Sequence, residues 1–280
     1  MSLTACGGSS GGGDGEALTI PRPQSTDYTT CSGGGSSGGS SGGSSGGSGG
    51  GSGGGGSSGT NLATLTGTSY TAQNGETLTG TLPAGITLTI PSDASVTLSG
   101  ATITGSNSPG ITCSGNATIT LVGTNSVSGN GGENAGIFVP SGSTLTISGS
   151  GSLTATGADE GAGIGGNGHD NGGAAGNINI TGGSITAASG PYGAGIGSGH
   201  SGSCGNIQIT GGTINAQSNN RGAGIGSGAS GSCGSITIGA GVTSVTATKG
   251  PGGSPQSIGA GNNGTCGTVS IASGANVTQN

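Results

Sequence analysis

Seven short segments between Ser95 and Ile271 repeat one figure: polar, aliphatic, polar, aliphatic. They are Ser95-Val96-Thr97-Leu98, Thr118-Ile119-Thr120-Leu121, Thr144-Leu145-Thr146-Ile147, Asn177-Ile178-Asn179-Ile180, Asn206-Ile207-Gln208-Ile209, Ser235-Ile236-Thr237-Ile238 and Thr268-Val269-Ser270-Ile271. A period of two puts the aliphatic side chains on one side of an extended chain, which predicts half-buried strands. The figure returns every 23 to 33 residues, so each strand is expected to stack on the one before it in a solenoid.

Two further columns share the repeat. Ile86, Ile111, Ile137, Ile164, Ile196, Ile225 and Ile258 form one, and Ile103, Val127, Leu153, Ile185, Ile214, Val245 and Val277 form the other. Three inward columns predict an all-β, three-faced, right-handed parallel β-helix over residues 60–280. At roughly 4.8 Å per strand, about 7–8 coils make a rod on the order of 35 Å long.

Composition narrows the picture. The 280 residues include 75 Gly, no Trp, three Tyr and one Phe, enough for a narrow stacked core but not a wide one. Three Lys/Arg against nine Asp/Glu give a net charge of −6, and only 4% of residues are charged. That excludes the basic footprint nucleic acid requires, and no 18-residue apolar span is present to cross a membrane. Ser, Thr and Asn carry the wetting of the surface, as in exported bacterial surface proteins.

Residues 32–59 are Gly or Ser throughout. Such a tract is expected to act as a disordered tether with a span of about 30 Å. Before it, residues 1–31 carry Leu3-Thr4-Ala5-Cys6 followed by Gly7-Gly8-Ser9-Ser10. This resembles a bacterial lipobox, which implies lipidation of Cys6 and membrane attachment through that lipid alone. Only five residues precede Cys6, so the charged and apolar parts of a signal peptide are missing from this stretch.

Within the repeats, Gly161-Ala162-Gly163-Ile164-Gly165, Gly193-Ala194-Gly195-Ile196-Gly197 and Gly222-Ala223-Gly224-Ile225-Gly226 recur. These motifs, each followed by a Gly-containing turn and a strand, resemble the pectate-lyase-like β-helix superfamily. The closer likeness is to Gly-rich bacterial surface proteins often described as carbohydrate-binding. The resemblance implies the fold over roughly residues 80–280 and, more loosely, an extracellular polysaccharide as partner.

Counting back four from the column isoleucines gives Glu133, Glu160, Tyr192 and Arg221 on successive coils. His169, Asp170 and His200 are expected on the other side of the same Gly-rich face. The two rows would form the rims of a shallow Gly-floored groove for a glycan, with Tyr192 stacking and the acids and Arg221 bonding hydroxyls; solvated corner residues are the plainer alternative. Glu133 and Glu160 sit about one coil apart, near the spacing of a retaining glycosidase pair. Nothing in the pattern desolvates one as the acid, and few basic residues face them, so a hydrolase or lyase of acidic polysaccharides is the lesser reading. Gly165-Gly166-Asn167-Gly168-His169-Asp170 begins like a calcium turn, but Asn171 stands where an aliphatic belongs and no second copy stacks beside it. Calcium at Asp170 is therefore only an alternative to a body with no metal or cofactor.

Cys204, Cys233 and Cys266 occupy equivalent places, each followed by Gly, with Ala175 in that place one coil earlier. A disulfide within the three and a ladder of buried thiols are both compatible with the spacing. The final residues, Val277 to Asn280, bring no cover for the last coil, which suggests end-to-end self-association. Together these features predict a lipid-anchored rod in the bacterial envelope, surface-exposed or periplasmic, that binds polysaccharide or mediates adhesion without catalysis. A purely structural envelope or matrix protein is the alternative.

Overall fold

The computed structural model describes residues 59–168 and 173–280. The expected lipidation site Cys6, nearly all of the tether, and His169 and Asp170 lie outside the described residues.

The described chain is a parallel β-helix. One face carries Ala117–Val122, Thr144–Gly149, Asn177–Ile180, Ile207–Ile209, Ile236–Ile238 and Val269–Ile271, and is called face A. Face B carries Thr124–Ser128, Ser152–Thr156, Ser184–Ala188, Thr213–Gln217, Ser244–Thr248 and Val277–Gln279. Face C is an eight-stranded sheet beginning at Ser69–Thr71 and ending at Ile258–Gly259. Every pairing between these strands is parallel, and the chain visits C, A, B and then C of the next coil. Faces A and B belong to one 15-stranded sheet because Ala94–Thr104 runs through both. Its first half pairs with Ala117–Val122 and its last three residues with Ser126–Ser128. A fourth, three-stranded ladder lines the C–A corner of the later coils: Ser203–Cys204, Ser232–Cys233 and Thr265–Cys266.

Alternation explains the core. Along Thr144–Gly149 and Ser152–Thr156 alternate residues are buried, and Leu145, Ile147 and Ala155 are fully enclosed. Ile137, Ile164, Ile196 and Ile225 stack directly on one another along face C and are all fully buried. Each such side chain contributes roughly 1.5–3 kcal/mol, so the column compensates for the lack of aromatic residues.

Three register details differ from the sequence expectation. Ile111 pairs with Leu88, not Ile86. Ile119 pairs with Ile147, which leaves Leu145 opposite Ala117. On face B, Val127 pairs with Ala155 and Leu153 with Asn125. All three are slips of two residues, and the reason is shared. A period-two pattern looks the same after such a slip, because each side chain keeps its side of the sheet. The corner decides instead: Gly151 N–H donates to Leu121 O and Ser152 N–H to Gly123 O, stacking the two A–B corners.

Asn125 lies in the core beside this corner, 1% exposed. Its Oδ1 accepts from Ala101 N–H at 2.9 Å, and its Nδ2 donates to Val122 O and Ser152 O at 3.1 Å each. One amide thus satisfies backbone groups of three coils, which makes its burial tolerable. At the N-terminal end, Leu62 is fully buried within a short 3-10 turn, and Glu76 accepts from Thr60, Tyr70 and the Gln73 N–H. At the other end, Val269 and Ile271 of the last coil are 38% and 37% exposed.

The Gly-Ala-Gly-Ile-Gly motif has a backbone explanation. Gly197 has φ +138°, and a Cβ there would lie 1.8 Å from Gly226 O; Gly165 and Gly226 repeat the arrangement. Gly142 has φ +82° with open space around it. Gly142→Ala is expected to cost only about 1–2 kcal/mol of backbone strain. Gly197→Ala adds a backbone clash and should cost several kcal/mol, roughly 2–6. Urea denaturation midpoints of the two variants check this contrast.

Cys113 is buried on face C, and burial pushes its thiol up to about 12. The folded state therefore holds the proton longer than the unfolded chain does. This contribution to stability is complete below the ordinary thiol value of 9.0 and is lost as pH rises toward about 12. Unfolding free energy measured across that window should fall with pH, and Cys113→Ala should flatten part of the slope.

Candidate functional site

The rim residues stand on the loops that connect face B to face C. Their backbones pair coil to coil: Glu160 N–H donates to Gly132 O, Tyr192 N–H to Asp159 O and Arg221 N–H to Pro191 O. Glu133, Glu160, Tyr192 and Arg221 consequently form one column along the rod. A second series fixes what lies beside it. Glu133 O accepts from Gly168 N–H, Glu160 O from His200 N–H, Tyr192 O from Ala229 N–H and Arg221 O from Asn262 N–H.

His200 is therefore a direct neighbour of the column rather than the opposite rim of a groove. Its Nδ1 lies 3.2 Å from Glu160 Oε2 without hydrogen-bond alignment. The His200 ring packs against Tyr192 with centroids 5.0 Å apart and planes inclined by 34°. Arg221 Cζ stands 5.8 Å from the centre of the same ring. The tyrosine expected to stack on sugar thus already carries two cationic or aromatic neighbours. Glu133 Oε2 is buried without a hydrogen-bond partner. Gly168 passes close over both carboxylate stems, since a Cβ on it would fall 2.6 Å from Glu160 Cβ and 3.0 Å from Glu133 Cβ. Among the described residues no three His, Cys, Asp or Glu side chains come together as a metal site.

The expected glycine floor is not open. Residues 161–168 are all buried. Ala162 N–H donates to Gly166 O, Ala194 N–H to Ser198 O and Ala223 N–H to Ser227 O, so each motif closes into a tight loop around its isoleucine. This chain segment lies within the wall of the rod, where a ligand has no access.

A Gly-floored groove exists one corner further on. It has a volume of about 550 Å³ and is lined by Gly173, Ala174, Ser201, Gly202, Ser203, Ser230, Gly231, Ser232, Asn263 and Thr265. Gly173, Gly202 and Gly231 are buried in the floor. Ser201, Ser230 and Asn263 form one lip, all in left-handed backbone conformations with φ of 53°, 55° and 56°. That geometry is uncommon for residues with a side chain and tends to occur at functional sites. It is held by Ser201 N–H donating to Ala229 O and Ser230 N–H to Asn262 O. Ser203, Ser232 and Thr265 form the other lip, alternating with the inward cysteines of the three-stranded ladder. The lip residue Ser201 directly follows His200, so the charged column adjoins the groove.

Sequence reasoning missed this groove, although a signal existed. Ser201-Gly202-Ser203-Cys204-Gly205, Ser230-Gly231-Ser232-Cys233-Gly234 and Asn263-Gly264-Thr265-Cys266-Gly267 repeat in step. A smaller cleft on face A, lined by Asp93, Asn116, Thr118, Thr144 and Thr146, was also missed. There Asn116 Nδ2 and Ser92 Oγ donate to the Asp93 carboxylate and hold it below its ordinary range.

Residues 145–168, 178–200 and 207–229 match the family model described as beta helix repeat. Each stretch runs from a face A strand through the Gly-Ala-Gly-Ile-Gly loop. With the parallel pairing of the strands, these repeats show the body to be a parallel β-helix built of stacked coils. No curated protein and no solved structure matches the chain.

The groove depends on serines inside the wall. Ser198 and Ser227 are fully buried, and their Oγ atoms accept from Gly228 N–H and Gly261 N–H at 2.9 Å. Ser198→Ala strands the Gly228 N–H and should cost about 1–3 kcal/mol. A denaturation curve compared with that of the exposed variant Ser201→Ala, expected to change little, isolates the buried contribution.

Proposed function

We propose that this β-helix binds an extended, neutral, hydroxyl-rich polysaccharide along the corner groove, without catalysis. The observation that carries the reading is the register of the groove: three coils each offer a hydroxyl or amide on both lips, over a floor of glycine. Ser and Thr hydroxyls both donate and accept, which matches the chemistry of sugar hydroxyls. Parallel strands repeat at roughly 4.8 Å, so a glycan lying along the rod meets the same pair of groups at every step. The net charge of −6 argues against an acidic glycan. Glu160, His200, Tyr192 and Arg221, with Glu133 behind them, supply a local set of polar contacts beside the groove. Surface display on a bacterial envelope through a lipid on Cys6 fits the same role, with residues 32–59 as the spacer.

A second reading is a structural rod that associates through its final coil. The exposure of Val269 and Ile271 favours it. In that case sedimentation velocity shows concentration-dependent assembly, which Ile271→Asp removes.

The binding reading is tested by calorimetric titration with soluble neutral oligosaccharides and by retardation in gels containing neutral polysaccharides. Binding is expected, and Ser203→Trp or Ser232→Trp, which fill the groove from its lips, should weaken it by about tenfold or more. Tyr192→Ala should weaken it less. Unchanged retardation of Ser232→Trp, or no response to any neutral glycan, overturns the assignment.

A further inference from the structure

The three-stranded corner ladder holds one more chemical feature. Cys204 pairs with Cys233 and Cys233 with Cys266, residue opposite residue on successive coils. Alternation turns Ser203 and Ser232 toward the groove, while Cys204 and Cys233 face inward, each 8% exposed. The Sγ atoms of Cys204 and Cys233 are 2.6 Å apart. Opposed residues in neighbouring strands are separated by roughly 4.8 Å, inside the Cα range that a disulfide spans. One coil earlier Ala175 takes the equivalent place, its N–H donating to Ser203 O and its O accepting from Gly205 N–H. The ladder therefore starts at Cys204. Cys266, on the last coil, is half-buried; its thiol lies 3.6 Å from Gly234 O and also neighbours the Cys233 thiol, which stands between the other two.

We propose that Cys204 and Cys233 form a disulfide between successive coils, made by exchange with a low-molecular-weight disulfide, while Cys266 stays a thiol. In the exchange two S–H bonds of the protein and the S–S bond of the small molecule break. One S–S bond forms in the protein, and the small molecule leaves as two thiols carrying both protons and both electrons. The staple closes a 29-residue separation and ties together the two coils whose Gly202 and Gly231 form the middle of the groove floor. Its formation does not depend on whether the groove binds sugar.

Timing follows from the surroundings. The Cys204 thiol beside it holds the reduced Cys233 thiol above the ordinary thiol range. A protonated, enclosed thiol exchanges slowly, so the bond forms while these coils are still folding and afterwards resists reduction.

The sequence makes the test direct. Its Lys and Arg residues are Arg22, Arg221 and Lys249, and Arg22 precedes a proline. Cleavage after Arg221 and Lys249 places Cys204, Cys233 and Cys266 on three different peptides. The full chain is refolded in mixed reduced and oxidised glutathione, free thiols are alkylated, and the unreduced tryptic digest is weighed. The expected result is peptide 1–221 joined to peptide 222–249, with Cys266 alkylated. Cys266→Ala should keep this link, and Cys204→Ala should lose it, which excludes Cys6, Cys31 and Cys113 as the partner. Reduction of the bridged protein should lower its melting temperature by several degrees. Alkylation of both Cys204 and Cys233, or a predominant link between peptides 222–249 and 250–280, overturns the proposal. The wild-type digest decides the matter even if a variant fails to fold.

Discussion

Everything in this body rests on backbone groups of one coil finding their partners on the next. The chain has few large side chains, so the interior is narrow, and narrow coils must approach closely. At Gly165, Gly197 and Gly226 the approach leaves no room for a Cβ. A methyl group at one such position would push two coils apart over their whole contact. Glycine abundance therefore serves the body as a spacing device, apart from any role in residues 32–59.

Where the backbone ladder ends, at corners, side chains take over the same duty. Asn125 bonds backbone groups of the coils on either side of its own. Ser198 and Ser227 do so beneath the groove, and Asn177 and Asn206 do so near face A, each accepting from an N–H one coil on. These polar residues are inside or beside the wall because backbone donors would otherwise be stranded there. Their positions explain how the rod turns sharply while the corner amides they bond stay paired, and why these Ser and Asn residues serve the fold rather than a ligand.

The period of two and the recurrence of isoleucines made the three faces legible from sequence, since burial and alternation leave a direct trace. Register within two residues was not legible, because sliding Leu145 from Ala117 to Ile119 changes no residue's side of the sheet. Only the stacked glycine corners and Asn125 distinguish the two, and those act through space. The column of Glu133, Glu160, Tyr192 and Arg221 could be placed by counting. The neighbourhood of His200 could not, because it depends on a turn donating to the rim residue of the preceding coil. The open groove was hidden for a related reason. Counting identified the cysteines as equivalent, while the serines and threonine beside them were given no role.

The first and last described coils differ in kind. Leu62 and the Glu76 cluster close one, whereas the last coil presents Val269 and Ile271. Between them each coil touches mainly its two neighbours. Internal duplication of the 29-residue unit from Ile196 to Gly224 would consequently lengthen the furrow by one step while leaving the first and last coils as they are. Such an architecture can adjust its reach in whole increments during evolution, with no redesign of what closes it.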